Sequence, residues 1–414
     1  MVEGRPQLES VRQKLKPPAR LLDFTRLMRR AGRVWTGVDR VELAYLAELV
    51  AGDVPVWGLA RTPLGYVLLD HSGLSGFYRR LIGEGKFAAP DLLSRMQRGM
   101  HDTARRALTD ARKCAVARAL PRGLVRMLAR HLPAGTAYLN TGHSNLSERV
   151  LTAVRTLEGA RIAVFVHDVI PLEYPQYQRE GTVAAFERKM LRVQRYADLV
   201  IYNSADTRQR TERVMAAWGA VPAGIVAHLG TMDPVPDHSI LPADLPPAAP
   251  YFITVGTIEP RKNHALLLDV WDRLGPDAPV LLICGSRGWN NEAVFARLDA
   301  LGPDARVREV SGLADGALSA LVEGAHAMLF PSHAEGFGLP AVESLRMGTP
   351  VLCSNMATFR EILGDKAVYL DDSAVNLWEE TVVDWSRRPR DTLRVRNFEA
   401  PDWAAHFKIA LSFT

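Results

Sequence analysis

Glu335 and Glu343 are two carboxylates separated by seven residues, and a glycine-hinged loop lies between them. An apolar stretch before this loop predicts a strand, and Pro340 predicts the first position of a helix, with Glu343 on its first turn. Gly336 and Gly338 let the backbone approach a ligand closely, while helix N-terminal amides attract an anion. Carboxylates accept hydrogen bonds from vicinal hydroxyls. The unit therefore predicts a site for a sugar joined to a diphosphate.

Each of these residues also has a purely structural interpretation. Glu343 near a helix N-terminus would complement the helix dipole, and a loop glutamate such as Glu335 is usually a solvated charge. Because both acids, the glycines and the proline fall in one strand-loop-helix unit, the combination favours ligand binding.

A second group of residues with chemical potential lies in GTIEPRKNH, Gly256–His264. It follows a predicted strand at Tyr251–Val255, and ligands of open parallel sheets bind beyond the carboxyl ends of the strands. Arg261 and Lys262 would neutralise a departing diphosphate there. The alternative is an ordinary solvated turn.

The spacing of the two glutamates around GFGLP resembles the motif of retaining family-4 glycosyltransferases, which have the GT-B fold of two facing Rossmann-like domains. The resemblance continues in four further segments, which are VGTIEPRKN from Val255, GSRGWN from Gly285, SNMATFREILGDKAVYL from Ser354 and, more thinly, HDVIP from His167.

The resemblance implies roles for particular residues. Glu335 would lie by the donor sugar, Glu343 would bind the nucleotide ribose, and His167, at the end of a predicted strand, would face the donor sugar. With Arg261 and Lys262, we assign His167 and Glu335 to the catalytic group. The predicted donor-binding residues are Gly37, Thr257, Gly336, Phe337, Gly338, Leu339 and Glu343.

Two of these assignments have alternatives. Many family members carry an arginine directly after the glycine of the second motif, where this chain has Thr257, so either Arg261 replaces it or another guanidinium meets the phosphates. Gly37 belongs to Trp35–Arg40, which resembles a loop approaching the donor from the opposite domain, yet a glycine before a helix is common. A lone histidine such as His167 is also often structural.

Composition permits two full domains. The chain has 414 residues, of which 47% are hydrophobic and 23% charged, as in soluble globular proteins. Short apolar runs alternate with helical patterns in both halves, which predicts an α/β protein with two Rossmann-like parallel sheets facing across a cleft.

Six prolines in residues 233–250 predict a stiff linker between the domains. We predict an N-terminal acceptor domain at 1–232 and a donor-nucleotide domain at 251–395. In the resembled family, a terminal helix such as the one predicted at 396–414 crosses back to the N-terminal domain.

Charge, hydropathy and cysteine content predict where the protein is located and which partners it binds. Three widely spaced cysteines, a charged N-terminus and the lack of eighteen consecutive apolar residues predict a cytoplasmic protein. Residues 95–130 hold ten Arg and Lys against two Asp. Interleaved apolar residues there predict an amphipathic surface for anionic lipid, and a solvated helix face is the alternative. Without a nucleic-acid motif, we expect no nucleic acid partner.

The predicted function is retaining, metal-independent transfer of a hexose from a nucleoside-diphosphate sugar to a glycan or lipid-linked acceptor in bacterial surface polysaccharide or glycolipid synthesis. No metal-ligand spacing is visible, and no cofactor is expected beyond the donor substrate. The combination HDVIP, EPRKN and GW resembles mannosyltransferases, so GDP-mannose is the predicted donor. The glycine fingerprint expected of a dinucleotide oxidoreductase is absent after the first predicted strand of either half. A non-catalytic protein that binds sugar nucleotides or glycans is the remaining alternative.

Overall fold

The structure is a computed structural model that describes residues 16–232 and 234–414. Most of the charged N-terminal stretch and one residue of the predicted linker, Asp233, lie outside the described residues. Two β-sheets, each flanked by helices, organise the rest of the chain.

The first sheet has eight strands within residues 16–232, in the order β4-β3-β2-β1-β5-β6-β7-β8. Neighbouring strands are parallel except for the antiparallel pairs β2/β3 and β3/β4. Its strands are β1 (Arg20–Asp23), β2 (Val56–Thr62), β3 (Gly65–Leu69), β4 (Ala117–Ala119), β5 (Ala137–Asn140), β6 (Arg161–Val166), β7 (Leu199–Tyr202) and β8 (Ala223–Val226).

The second sheet, formed within residues 234–414, has six parallel strands in the order β11-β10-β9-β12-β13-β14. Helices cover both faces, so its central strands are continuous apolar runs. Its strands are β9 (Tyr251–Val255), β10 (Val280–Cys284), β11 (Val307–Val310), β12 (Ala327–Phe330), β13 (Val351–Ser354) and β14 (Val368–Leu370).

The helices connect these strands and cover the sheets. Those of the first half are α1 (Thr25–Arg30), α2 (Gly37–Ala51), α3 (His71–Leu81), α4 (Leu92–Arg95), α5 (Asp102–Lys113), α6 (Leu124–His131), α7 (Glu148–Arg155), α8 (Ile170–Glu173), α9 (Thr182–Tyr196) and α10 (Ala205–Ala216). Those of the second half are α11 (His264–Leu274), α12 (Glu292–Asp299), α13 (Asp315–Gly324), α14 (Leu339–Arg346), α15 (Ala357–Leu363), α16 (Val375–Arg387), α17 (Arg390–Leu393) and α18 (Trp403–Ala410).

The predicted α/β class with two sheets is confirmed, but the first sheet is larger than predicted. Strands β1, β3 and β4 were not predicted, and the hairpin β2/β3 makes one edge of this sheet antiparallel. β1 reads Arg-Leu-Leu-Asp, so its two apolar residues lie between charged ones and give no apolar run.

Each sheet has a point where the strand order reverses, and such points form crevices that bind ligands. In the first sheet β1 lies between β2 and β5, so the crevice opens beyond the carboxyl ends of β1 and β5. In the second sheet β9 lies between β10 and β12, which brings together the loops that follow β9 and β12. These are the two loops that carry the predicted charged residues.

The C-terminal helix α18 contacts the first half of the chain. Its His406 lies 2.8 Å from the Tyr45 hydroxyl and 3.0 Å from the His228 carbonyl oxygen. Arg20 donates to the Thr414 carbonyl oxygen at 2.9 Å, which ties β1 to the end of the chain. The last residues of the chain therefore lie against the first sheet.

The amphipathic surface predicted for residues 95–130 is divided among several elements. The segment contains α5, β4 and α6, and Leu108, Leu124 and Leu128 are buried in the core rather than available to a membrane. Arg112 pairs with Asp91. Within the described part of the chain, no helix is long and apolar enough to cross a bilayer.

Candidate active site

Arg261, Lys262 and Glu335 meet where the loops after β9 and β12 lie side by side. The Glu335 carboxylate accepts from Lys262 Nζ at 2.6 Å and lies 2.9 Å from Arg261 Nη1. Arg261 also donates to Glu259 at 2.6 Å and to the Ala334 carbonyl oxygen at 2.7 Å. The structure thus brings together three of the four residues assigned to the catalytic group.

The charges in this cluster are fixed by their mutual contacts. Burial alone would raise the pKa of Glu335, but the nearby charges of Arg261 and Lys262 outweigh it and lower this pKa to about 2. Burial lowers the pKa of Arg261, and the carboxylates of Glu335, Glu259 and Asp168 more than offset this and raise it. At neutral pH the site therefore presents an ionised carboxylate held between two cations.

Glycines make room for these side chains. Gly256 has a φ of +147°, and a Cβ atom there would lie 3.3 Å from the Lys262 side chain. Thr257 is exposed and contacts Gly288, whose added Cβ would lie 2.7 Å from its methyl group. Thr257 therefore lies against the loop that contains Gly288, and a larger residue at Gly256 would crowd the Lys262 side chain.

The glycine-hinged loop leads into α14 with a small shift from the predicted register. Gly338 is the N-cap in the left-handed conformation, with a φ of +90°, and Leu339 is the first helical residue. Pro340 is thus second rather than first, and Glu343 is the fifth residue rather than part of the first turn. A Cβ atom on Gly338 would lie 2.4 Å from the Phe359 ring, so only glycine fits at this position.

Gly336 lies where the two halves of the chain approach most closely at this site. A Cβ atom on Gly336 would lie 2.5 Å from the His167 carbonyl oxygen and 3.1 Å from Asp168. The Thr207 hydroxyl donates to the Gly336 carbonyl oxygen at 3.1 Å, and the Thr358 hydroxyl to that of Glu335 at 3.4 Å. Both contacts fix the backbone of the loop.

His167 lies at the end of β6 with its ring buried. Its Nε2 lies 2.6 Å from the Thr141 carbonyl oxygen, which can only accept, so Nε2 carries the proton. Burial lowers the pKa of His167 to about 4. At neutral pH the ring is therefore neutral, its one N–H is used by Thr141, and it supplies no positive charge to a phosphate.

Glu343 contacts the opposite half of the chain rather than Glu335. Arg40, on α2, donates to the Glu343 carboxylate at 2.7 Å and lies 3.6 Å from Asp315. Gly37 begins α2 and approaches Leu339, since a Cβ atom on Gly37 would lie 3.4 Å from that side chain. The N-terminus of α2 and α14 therefore face each other across the cleft.

Three residues with clear contacts to the site were absent from the predicted set. Glu259 is buried and shares Arg261 with Glu335. Arg40 pairs with Glu343, and Thr207 holds the loop backbone. Glu259 lies in Gly256–His264 and Arg40 in Trp35–Arg40, two segments already singled out by their sequence. An acid directly before PRK could have indicated that Glu259 pairs with Arg261. Thr207 has no comparable signal.

Residues 242–392 match the family model described as glycosyl transferases group 1, so this part of the chain is a glycosyl transferases group 1 domain. It contains Arg261, Lys262, Glu335 and Glu343. The domain therefore carries the whole charged cluster and the carboxylate that faces Arg40.

Curated relatives match the chain over part of their length. The serotype-specific mannosyltransferase WbdA of Escherichia coli is 30% identical over 244 residues, covering 55% of this chain and 30% of that protein. The O-antigen chain mannosyltransferase B of Escherichia coli is 32% identical over 129 residues, covering 30% of this chain and 34% of that protein. The aligned part thus spans about a third of each relative.

A solved structure covers nearly the whole chain. The apo form of the lipopolysaccharide outer core galactosyltransferase WaaB superposes with a TM-score of 0.54 and 14% identity, covering 95% of this chain and 96% of that one. At this identity the match concerns the fold. The protein has the GT-B fold.

Proposed function

We propose that the protein is a retaining glycosyltransferase that moves a hexose from a nucleoside-diphosphate sugar to a glycan or lipid-linked acceptor. The observation that carries the proposal is the buried cluster of Arg261, Lys262 and Glu335 at the reversal point of the second sheet, opposite His167. Two cations at this point suit a diphosphate leaving group.

In this proposal the donor lies along the edge of the second sheet. Its diphosphate meets Arg261, Lys262 and the N-terminus of α14, where unpaired amides and the helix dipole favour an anion. The Glu343 carboxylate accepts hydrogen bonds from the ribose hydroxyls. The sugar then faces Glu335 on one side and His167 on the other.

The same residues account for leaving-group departure without a metal ion. Negative charge grows on the phosphate oxygen as the glycosidic bond breaks, and fixed cations stabilise that charge in a water-poor site. Glu335 keeps Lys262 and Arg261 aligned and polarises the transferring sugar. His167 donates Nε2–H to Thr141, so its Nδ1 remains as an acceptor for a hydroxyl of the sugar.

The proposal further specifies mannose as the sugar, GDP as the nucleotide of the donor and bacterial surface polysaccharide as the product. The names of the two Escherichia coli relatives support mannose and an O-antigen context, and the resemblance in HDVIP and EPRKN supports GDP-mannose. We place the protein in the cytoplasm, where this donor would meet it.

The direct test is incubation of the purified protein with GDP-mannose and a panel of short methyl glycosides, followed by NMR of the products. Transfer should give an α-linked mannoside, because the donor is α-linked and the mechanism is proposed to retain that configuration. A β-linked product would exclude retention. If the protein binds GDP-mannose but neither transfers nor slowly hydrolyses it, the non-catalytic alternative is favoured.

Substitution of Lys262 or Arg261 by alanine should weaken binding of GDP more than binding of GMP. Each side chain is proposed to meet the phosphate nearer the sugar, so the loss should be about tenfold for the diphosphate and smaller for the monophosphate. Titration calorimetry measures both. Equal losses of GDP and GMP affinity would show that these cations do not contact the phosphate nearer the sugar. Turnover that is lost with EDTA and restored by Mg²⁺ or Mn²⁺ would contradict metal-independent catalysis.

A peripheral membrane contact remains part of the proposal in a narrower form. Arg126 and Arg130 lie on the exposed side of α6, and exposed Arg122 lies in the turn just before it, next to Leu120, which is 71% exposed. Basic residues beside an exposed apolar side chain suit an anionic lipid surface. This surface replaces the continuous amphipathic segment predicted for residues 95–130.

A variant with serine at Arg122, Arg126 and Arg130 should lose most of its binding to anionic liposomes at low salt. Each basic residue near such a surface contributes about 1 kcal/mol, and salt screens the attraction. Co-sedimentation measures the binding. The matched control carries the same change at three exposed arginines elsewhere in the first half, Arg149, Arg188 and Arg213. Wild-type protein that does not co-sediment would refute the membrane contact.

A further inference from the structure

Several buried polar atoms lie unpaired at the reversal point of the first sheet. Both carboxyl oxygens of Glu42, the amide oxygens of Asn140 and Asn145, and the Thr141 hydroxyl have no hydrogen-bond partner within residues 16–232 and 234–414. We call these four residues the switch-point cluster. Glu42, Asn140 and Thr141 are each only 1% exposed.

The donor groups of the two asparagines are already used. Asn140 Nδ2 donates to the Tyr138 hydroxyl at 3.0 Å and to the Ser144 carbonyl oxygen at 2.9 Å. Asn145 Nδ2 donates to the Asp23 carboxylate at 2.7 Å. These contacts hold the amide groups in place, so their oxygens remain free to accept hydrogen bonds from a ligand.

The unpaired polar atoms of the switch-point cluster lower the stability of the folded protein. A buried carboxyl without a partner costs free energy, and Glu42 has two such oxygens. The adjoining loop adds strain, because His143 and Asn145 adopt left-handed backbone conformations with φ of +54° and +55°. Gly142 leaves room for Glu42, since a Cβ atom there would lie 2.5 Å from its carboxyl carbon. Such costs are typical of functional sites.

The cluster is continuous with the proposed donor-sugar site. Thr141 accepts from His167 Nε2 through its carbonyl oxygen at 2.6 Å, while its unpaired hydroxyl belongs to the cluster. The carboxyl ends of β1 and β5, which flank it, form the crevice of the first sheet. A ligand bound there would therefore lie next to the sugar held by His167.

We propose that the switch-point cluster is the acceptor subsite and that it binds the hydroxyl groups of a neutral sugar. The inference rests on the proposed function, which requires an acceptor beside the donor sugar. The free carboxyl and amide oxygens suit a ligand that brings hydrogen-bond donors, as vicinal hydroxyls do. Because the cluster is buried, binding requires the adjoining loop with His143 and Asn145 to move.

The charges nearby favour a neutral ligand over a phosphate. Arg26 is a cation close to Glu42, but its guanidinium donates to Asp39 at 2.7 Å and to Thr36 at 3.1 Å. Two carboxyl groups, those of Glu42 and Asp23, line the crevice. Burial raises the pKa of both acids, that of Asp23 to about 6 and that of Glu42 well above its usual range. At neutral pH the charge of Asp23 opposes a phosphate and the neutral Glu42 carboxyl suits a hydroxyl, so the subsite takes the sugar end of an acceptor.

The test is saturation-transfer NMR of the donor-free protein with methyl glycosides of mannose, glucose, galactose and N-acetylglucosamine, and with mannose 6-phosphate. At least one methyl glycoside should bind, and more tightly than mannose 6-phosphate. Glu42→Met should abolish this binding, and Thr141→Val, which removes only the hydroxyl, should weaken it about tenfold. The matched control Glu48→Gln changes an exposed glutamate of the same helix and should bind as wild type does.

The melting temperature separates a binding role from a structural one. Removing an unpaired buried carboxyl should raise the melting temperature of Glu42→Met by about 2–4 °C. A lower melting temperature would show that Glu42 supports the fold, and the glycoside affinity of Thr141→Val would then decide the proposal. If no methyl glycoside binds the wild type, or if both variants bind as well as it does, the cluster holds only ordered water and the proposal is wrong.

The same samples distinguish this inference from the proposed function. A thermal-shift titration with GDP reports the donor site alone. GDP binding without glycoside binding would overturn the acceptor subsite and leave the proposed function intact. Glycoside binding without binding of any nucleoside diphosphate would overturn the donor assignment and retain a sugar site at the switch-point cluster.

Discussion

Replacement of Glu335 by glutamine is expected to lower the rate of sugar transfer at least about tenfold. Glutamine preserves the size of the side chain and its ability to accept a hydrogen bond, but it removes a charge that lies 2.6 Å from Lys262 Nζ and 2.9 Å from Arg261 Nη1. The transferring sugar would then lose the carboxylate that is proposed to polarise it, while both cations stay in the site.

The affinity for nucleoside diphosphate should not fall in this variant, because cations without a partner attract phosphate more strongly. Steady-state kinetics and titration calorimetry separate the two effects. The matched control is Glu309→Gln, which removes a surface ion pair with Arg287 at 2.7 Å in the same domain. Turnover at the wild-type rate in Glu335→Gln would exclude Glu335 from the reaction.

The pH dependence of activity should not report Glu335. Its pKa of about 2 lies below the ordinary value of 4.5, so the folded state releases this proton more readily than the unfolded state. The carboxylate therefore stabilises the fold above about pH 4.5, and that contribution is lost as the pH falls towards 2. An acid limb of the activity profile near neutral pH would have to come from another group.

The charged cluster was largely predictable from the sequence, because its parts lie in loops that follow clear strands. β9 and β12 are uninterrupted apolar runs, and parallel strands that pair bring their following loops together. Lys262 and Glu335 could therefore be assigned to one site. The direct contact between them, and the sharing of Arg261 with Glu259, depend on side-chain packing that no spacing reveals.

Contacts between the two halves of the chain could not be predicted in the same way. The ion pair between Arg40 and Glu343 joins residues 303 positions apart and depends on how the sheets face each other. The switch-point cluster was missed for another reason. Glu42 lies in a helix whose sequence pattern allows an exposed glutamate. β1, which forms one side of the crevice, has charged residues at both ends and gives no apolar run.

Substitution of Glu343 by alanine is expected to weaken binding of GDP by about tenfold to a hundredfold. A carboxylate that accepts from two ribose hydroxyls contributes about 1.5–3 kcal/mol, and alanine removes both hydrogen bonds. In the structure Arg40 donates to this carboxylate at 2.7 Å. Under the proposed function, the ribose would replace Arg40 as the partner of Glu343.

The comparison with 2′-deoxy-GDP makes this prediction specific to the ribose. A ligand without the 2′-hydroxyl should bind the wild type more weakly, and the Glu343→Ala substitution should cost it less affinity than it costs GDP. The matched control is Asp315→Ala, since exposed Asp315 lies 3.6 Å from the same arginine but has no proposed contact with the nucleotide. Equal losses for the two nucleotides in Glu343→Ala, measured by calorimetry, would show that Glu343 positions Arg40 rather than the ribose.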